Sequence, residues 1–126
     1  MRSPKRRILC TEDHPDSRDL IIYVLEASGY EVVCTEAAID ALTTARREHF
    51  DLFLVDNWLP DLTGPELTRQ LREFNTTTPI LFYSAAAFES DKESAFKAGA
   101  QGYLVKPAGI VQLVEEVDRL IAEAGI

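Results

Sequence analysis

Apolar residues along this chain follow two alternating rhythms. Short, nearly continuous apolar runs occur at Arg7–Thr11, Glu31–Thr35, Asp51–Val55, Pro79–Ser84 and Gln101–Val105. Runs of this length, flanked by turn residues, predict strands, and the unbroken ones predict strands buried on both faces. Between and after them the spacing changes to that of helices. Leu20, Ile21, Val24 and Leu25 make one stripe, and Ala38, Ala41, Leu42 and Ala45 a second of small residues. Leu67, Leu71 and Phe74 make a third inward face. Phe88–Ala98 is weaker, rich in alanine and charge. Ile110, Leu113, Val114, Val117, Leu120 and Ile121 carry the clearest helical period in the chain.

Punctuation agrees with that division. Pro15 and Pro65 suit the first turns of helices, where a missing N–H goes unnoticed. Gly29 and Gly99 suit helix ends. Leu59–Gly64 reads as a loop. Strands alternating with helices in this way predict a doubly wound parallel sheet with helices on both faces and right-handed crossovers. No repeat or linker divides the 126 residues, so residues 1–126 read as one domain, ordered over about 6–122.

Charge narrows the function classes. The chain carries 13 basic and 21 acidic residues, a net charge of −8. Direct nucleic-acid binding wants a basic face, and the only basic run is Lys5-Arg6-Arg7, read as a solubilising flank. No apolar stretch reaches the ~20 residues that span a bilayer, and no apolar core of a signal peptide follows the N-terminal basic residues. A cytoplasmic location without membrane association is expected. Cys10 and Cys34 fall in strands and read as reduced core thiols.

Chemistry gathers at strand ends. Glu12-Asp13 follow the first run, Asp56 the third, Ser84 ends the fourth, and Lys106-Pro107 follow the fifth. In an open parallel sheet, functional groups collect outside the carboxyl ends of the strands. Three clustered carboxylates repel, and a hard cation with oxygen ligands relieves them. Magnesium fits, because it uses few carboxylates and keeps positions for a phosphoryl ligand. Asp56 is the candidate nucleophile, able to form an acyl phosphate. Lys106 supplies a cation for the transferred group and Ser84 a hydroxyl. A cis Lys106–Pro107 bond is expected to aim the lysine inward. His14 is a poor partner for magnesium, and His49 sits near a helix end, where a cation is favoured. Phe88 reads equally as a docking residue or a buried anchor.

Taken in this order, Glu12-Asp13, Asp56, Ser84-Ala85 and Gly102-Tyr103-Leu104-Val105-Lys106-Pro107 resemble the receiver domain of two-component response regulators over essentially the full length. The resemblance implies a flavodoxin-like (βα)5 fold. It implies that Asp56 accepts a phosphoryl group from a histidine kinase or a histidine phosphotransfer protein. It implies magnesium on Asp13, Asp56 and the backbone carbonyl of Trp58, with Glu12 acting through water. Ser84 and Lys106 would hold phosphoryl oxygens, and Tyr103 would turn inward as the fourth helix, fifth strand and fifth helix change shape for a downstream protein or effector domain. No enzymatic activity beyond self-phosphorylation and autodephosphorylation is implied. Three features depart from the common pattern. The segment before Tyr103 lacks an acidic residue, and Ala108 stands where an aromatic is frequent; both weaken the case for a salt-bridged dimer. Trp58 is bulky beside the nucleophile and suited to shielding an acyl phosphate.

Other readings use parts of the same set. A haloacid-dehalogenase-like phosphotransferase or phosphatase wants a second aspartate where Trp58 stands, and room for a cap domain. A flavodoxin-like ligand binder wants a glycine- or hydroxyl-rich loop where Glu12-Asp13 stand. A pseudo-receiver, purely an interaction module, would have lost site residues, and none of the five positions is lost.

Overall fold

The computed structural model describes residues 5–107 and 109–125. Strands β1 (Arg7–Thr11), β2 (Glu31–Thr35), β3 (Leu52–Val55), β4 (Ile80–Ser84) and β5 (Gly102–Val105) alternate with helices α1 (Pro15–Ala27), α2 (Ala38–Arg47), α3 (Gly64–Arg72), α4 (Glu89–Ala98) and α5 (Ile110–Ala124). All strands are parallel, in the order β2-β1-β3-β4-β5. Direction of travel across the sheet reverses after β2, which opens a crevice at the carboxyl ends of β1 and β3.

The apolar runs are buried because both faces of the sheet are covered. On one face Leu9, Phe53, Val55, Ile80 and Phe82 meet the alanines of α2, Leu67 and Leu71 of α3 and Ala95 of α4. On the other, Ile8, Cys10, Leu52, Leu54, Leu81 and Leu104 meet Ile21 and Leu25 of α1 and Leu113, Val117, Leu120 and Ile121 of α5. Cys10 is buried, Cys34 on the edge strand is partly buried, and both are free thiols. No helix among the described residues is long and apolar enough to cross a membrane.

Several expectations need adjustment. Leu20 is 48% exposed, so the α1 stripe is Ile21, Val24 and Leu25. Phe74 does not point inward: α3 ends at Arg72, and the guanidinium of Arg46 lies 4.8 Å from the centre of the Phe74 ring. Helix α5 runs from Ile110 to Ala124. The basic flank is tied into the fold, with Arg7 bonded to Glu31 and Glu48 and stacked over Phe50. Ala108, the side chain of Ile110 and the extreme termini at 1–4 and 126 lie outside the described residues. The Lys106–Pro107 peptide is cis, as expected.

Helix α2 has no capping side chain of its own, since Ala37 precedes it. Asp61, from the loop after β3, supplies the cap: its carboxylate accepts from the N–H groups of Ala38 at 2.8 Å and Ile39 at 2.9 Å. Burial works against the Asp61 carboxylate, but these bonds and those from the Asp61 and Leu62 N–H groups outweigh it and hold its pKa below the usual range. A depressed carboxylate stabilises fully above its unfolded pKa, and the gain disappears as pH falls through the folded value. Asp61→Ala is therefore expected to lower stability by about 1 kcal/mol at neutral pH. Urea midpoints of the two proteins should converge on acidification below about pH 4.

Candidate functional site

The sheet register assembles the site. Thr11 pairs with Val55, so the residues that follow, Glu12 and Asp56, emerge side by side at the crevice. The Asp56 N–H extends the ladder to Thr11 O at 3.2 Å, and the Glu12 N–H to Thr35 O at 3.0 Å. On the other side Ser84 pairs with Val105, and the Lys106 N–H donates to Ser84 O at 2.8 Å. Four strand ends thus deliver their polar groups to one edge, as the sequence predicts.

One carboxylate oxygen from each of Glu12, Asp13 and Asp56 can be chosen so that all three lie within 4.8 Å of one another. Glu12 is buried and Asp13 exposed, with Asp56 between. The Lys106 ammonium reaches across, donating to Glu12 Oε1 and, at 3.3 Å, to Asp56 Oδ2. Burial pushes the Glu12 carboxyl up, Lys106 pulls it down, and neighbouring Asp56 pushes it up again; the net shift is upward. Burial lowers the Lys106 pKa, and its two carboxylate partners more than reverse that. Three carboxylates against one ammonium leave a formal charge of −2. Oxygen donors with that residual charge suit a hard divalent cation.

The loop after Asp56 is shaped by Gly64. A side chain there would come within 2.6 Å of both Asp56 O and Phe82 Cε2. The Gly64 N–H closes the loop onto Asn57 O at 2.8 Å, and Trp58 bridges to Thr63. The Trp58 N–H lies 3.4 Å from Asp56 Oδ1, while its side chain is 62% exposed at the mouth. Ser84 is fully buried, and its Oγ accepts from the Ala86 N–H at 3.2 Å. It therefore braces the turn after β4; the N-terminal N–H of α4's cap residue, Phe88, is instead taken by Asp91 at 3.0 Å. Tyr103 is half-buried, stacks on Phe82 with ring centres 5.5 Å apart, and donates its O–H to Ala86 O at 2.6 Å. Burial raises the Tyr103 pKa, partly offset by the Ser84 hydroxyl.

His14 caps α1, accepting from the Ser17 N–H at 3.5 Å, and His49 lies 3.4 Å from Asp51. Neither enters the acidic cluster. Phe88 is 78% exposed, which removes the buried-anchor reading. Sequence reasoning missed Asp61, which anchors the loop bearing Trp58, and Ser17, whose hydroxyl lies 3.4 Å from Lys106 Nζ. No local pattern marks either, because each acts across elements distant in sequence.

A family model described as the response regulator receiver domain matches residues 8–118. The polar-differentiation response regulator DivK of Brucella ovis is 30% identical, over 94% of this chain and 98% of its own. Among solved structures, the receiver domain of sensor histidine kinase PA1611 from Pseudomonas aeruginosa superposes with a TM-score of 0.88 at 32% identity, covering 94% of this chain and 99% of its own. That structure holds a magnesium ion in its active site cleft. A CheY-like receiver domain protein from Methanospirillum hungatei superposes with a TM-score of 0.93 at 28% identity, covering 97% and 98%.

Proposed function

Because the chain belongs to the response regulator receiver domain family, we propose that Asp56 is its phosphoacceptor, charged in a magnesium-dependent reaction by a histidine kinase or histidine phosphotransfer protein. The observation that carries this reading is the meeting of Glu12, Asp13 and Asp56 with a single lysine bonded to two of them. Asp13, Asp56 and the Trp58 backbone carbonyl would hold the magnesium, with Glu12 acting through water; the acidic cluster supports this ligand set. A magnesium ion held there would supply charge neutralisation for the phosphoryl oxygens.

The chain's own groups do the rest. The Asp56 carboxylate attacks phosphorus as the donor's N–P bond breaks, the electron pair returns to the donor's imidazole nitrogen, and Asp56 becomes an acyl phosphate. The Lys106 ammonium, already between Glu12 and Asp56, moves its bonds to the transferred group and stabilises the charge there. Ser84 turns its O–H toward a phosphoryl oxygen. That movement alters the turn at Ala86, to which the Tyr103 hydroxyl is bonded. The surface of α4, β5 and α5 changes with it, and a downstream protein or effector domain reads the change. Residues 1–126 act as a single receiver domain in the cytoplasm, without direct contact to nucleic acid or membrane. No catalytic activity is assigned beyond self-phosphorylation and autodephosphorylation.

The test is intact-mass analysis after incubation with acetyl phosphate. A gain of one phosphoryl group is expected with magnesium, and none after chelation or in Asp56→Asn. A gain that persists in Asp56→Asn overturns the assignment.

A further inference from the structure

The ammonium of Lys106 has three protons to place, and the groups around it are unequal. Two carboxylates take it, Glu12 and, at 3.3 Å, Asp56. The same two carboxylates belong to the acidic cluster, so their hold on the ammonium weakens whenever a second cation shares them. Two neutral groups also reach it. Ser17 Oγ lies at 3.4 Å, long for a hydrogen bond. The other is the ring of Tyr83, with Lys106 Nζ over its face and 5.5 Å from its centre. That separation allows a cation–π attraction, which strengthens as water is withdrawn. Water is largely withdrawn here, because the Lys106 side chain is 17% exposed and Tyr83 only 7%.

The sheet explains the meeting. Tyr83 on β4 pairs with Leu104 on β5. Side chains alternate along a strand, so Leu104 and Lys106 leave on one face and Tyr83 is the diagonal neighbour of Lys106 there. The core on this face, under α1 and α5, is otherwise aliphatic apart from the Cys10 thiol: among its buried members Tyr83 is the one aromatic. Packing among leucines and isoleucines does not call for a ring at this position. The ring stands one residue before Ser84, at the end of β4 where the lysine arrives. An aromatic face attracts a cation without fixing the direction of a hydrogen bond. It can therefore hold the ammonium while its bonds pass from the carboxylates to a phosphoryl oxygen.

We propose that Tyr83 is a positioning residue for phosphoryl transfer, its ring seating the Lys106 ammonium beside Asp56 before and during the reaction. The proposal rests on Asp56 being the phosphoacceptor. Tyr83 acts through Lys106 and takes no part in bond making.

Tyr83→Phe and Tyr83→Leu both lack the hydroxyl, so the difference between them isolates the ring. Initial rates of one-phosphoryl mass gain from acetyl phosphate, in magnesium buffer, are expected to be about fivefold lower in Tyr83→Leu than in Tyr83→Phe. In a Lys106→Met background, where no ammonium reaches the ring, the two rates should be equal. A second readout needs neither donor nor magnesium. The ε-methylene protons of Lys106 should resonate upfield of ordinary lysine in the wild-type and Tyr83→Phe proteins, and return to the ordinary position in Tyr83→Leu. Tyr83→Met, flexible and without a ring, makes the same comparison if the leucine variant does not fold. Equal rates for the phenylalanine and leucine variants with Lys106 present overturn the seat, as does the same gap with Lys106 replaced or an upfield position kept without the ring. Each of these leaves the phosphoacceptor reading intact while mass gain still depends on Asp56. No mass gain in the wild-type protein overturns both.

Discussion

In a Lys106→Met protein, phosphoryl uptake from acetyl phosphate is expected to fall about 100-fold or more, and folding stability by about 3 kcal/mol at about pH 8. Both effects come from one side chain with two carboxylate partners. Lys106 bonds Glu12, whose side chain is 2% exposed, and lies 3.3 Å from Asp56. Methionine keeps most of the apolar stem and removes only the charge, so lost packing contributes little. What remains is a buried carboxylate facing a second one with no cation between them. The kinetic loss follows because, among the described residues, Lys106 is the cation bonded to the acidic cluster. Chemical denaturation and intact-mass kinetics read the two losses separately.

The pH dependence of that variant has a definite sign. Lys106 has a raised pKa, so its contribution in the wild-type protein is full below its ordinary value of 10.5 and is lost as pH rises through the higher folded value. Glu12 is also raised, so its ionised form weighs against folding once pH exceeds the unfolded carboxylate value. Without Lys106, Glu12 is raised further. The deficit of Lys106→Met should therefore shrink as pH falls and Glu12 takes up a proton. Magnesium should narrow it too, and more in the variant than in the wild type. A deficit that grows on acidification would contradict this account.

Arg72→Ala is expected to cost about 3 kcal/mol with no direct effect on the phosphorylation chemistry. The Arg72 guanidinium donates to Gly99 O at 3.1 and 2.9 Å, Asn75 O at 3.1 Å, Thr78 O at 2.8 Å and Gln101 Oε1 at 2.7 Å. Burial lowers its pKa. One planar cation therefore joins the end of α3, the turn before β4 and the link between α4 and β5. Gly99 adopts a φ of +121°, and a side chain there would come within 2.9 Å of Arg72 Cγ. Alanine at position 72 removes the Arg72 donors from the carbonyls of Asn75 and Thr78, while Gly99 O keeps only Gln101 Nε2 at 3.0 Å among the described residues. Lysine, a point charge without the fork, should restore less than half of the loss. These contacts lie at the amino ends of β4 and β5, the opposite edge of the sheet from Asp56. Uptake by Arg72→Ala at a temperature where it is folded should therefore match the wild type, and the urea midpoint should carry the whole effect.

Arg72 and Asp61 also mark the limit of what could be read from the chain. The strands were legible because burial on both faces leaves nearly unbroken apolar runs. The convergence of Glu12, Asp13, Asp56, Ser84 and Lys106 was legible because a parallel sheet brings strand ends to one edge, whatever the loops do. Periodicity was less reliable at the ends of helical stripes. Phe74 fits the spacing of α3, but the helix stops at Arg72 and the ring meets Arg46 instead. Leu20 fits the stripe of α1 and is half exposed. Contacts such as Asp61 to Ala38 and Arg72 to Gly99 span 23 and 27 residues. An aspartate in a loop or an arginine at a helix end carries no local sign of a distant partner.

Asp61 has a mechanical consequence for the opening above Asp56. On the Trp58 side, the loop is stapled to α2 by a carboxylate, closed by Gly64 onto Asn57 and bridged between Trp58 and Thr63. On the Phe88 side, the segment from Ser84 to Phe88 hangs from hydroxyl bonds at Ala86 and a single carboxylate at Asp91. The opening is a vice with one fixed jaw and one sliding jaw. Displacement during signalling should be confined to the sliding jaw, so that amide hydrogen exchange quickens at Ala85–Phe88 on phosphorylation while the residues around Asp61 keep their protection.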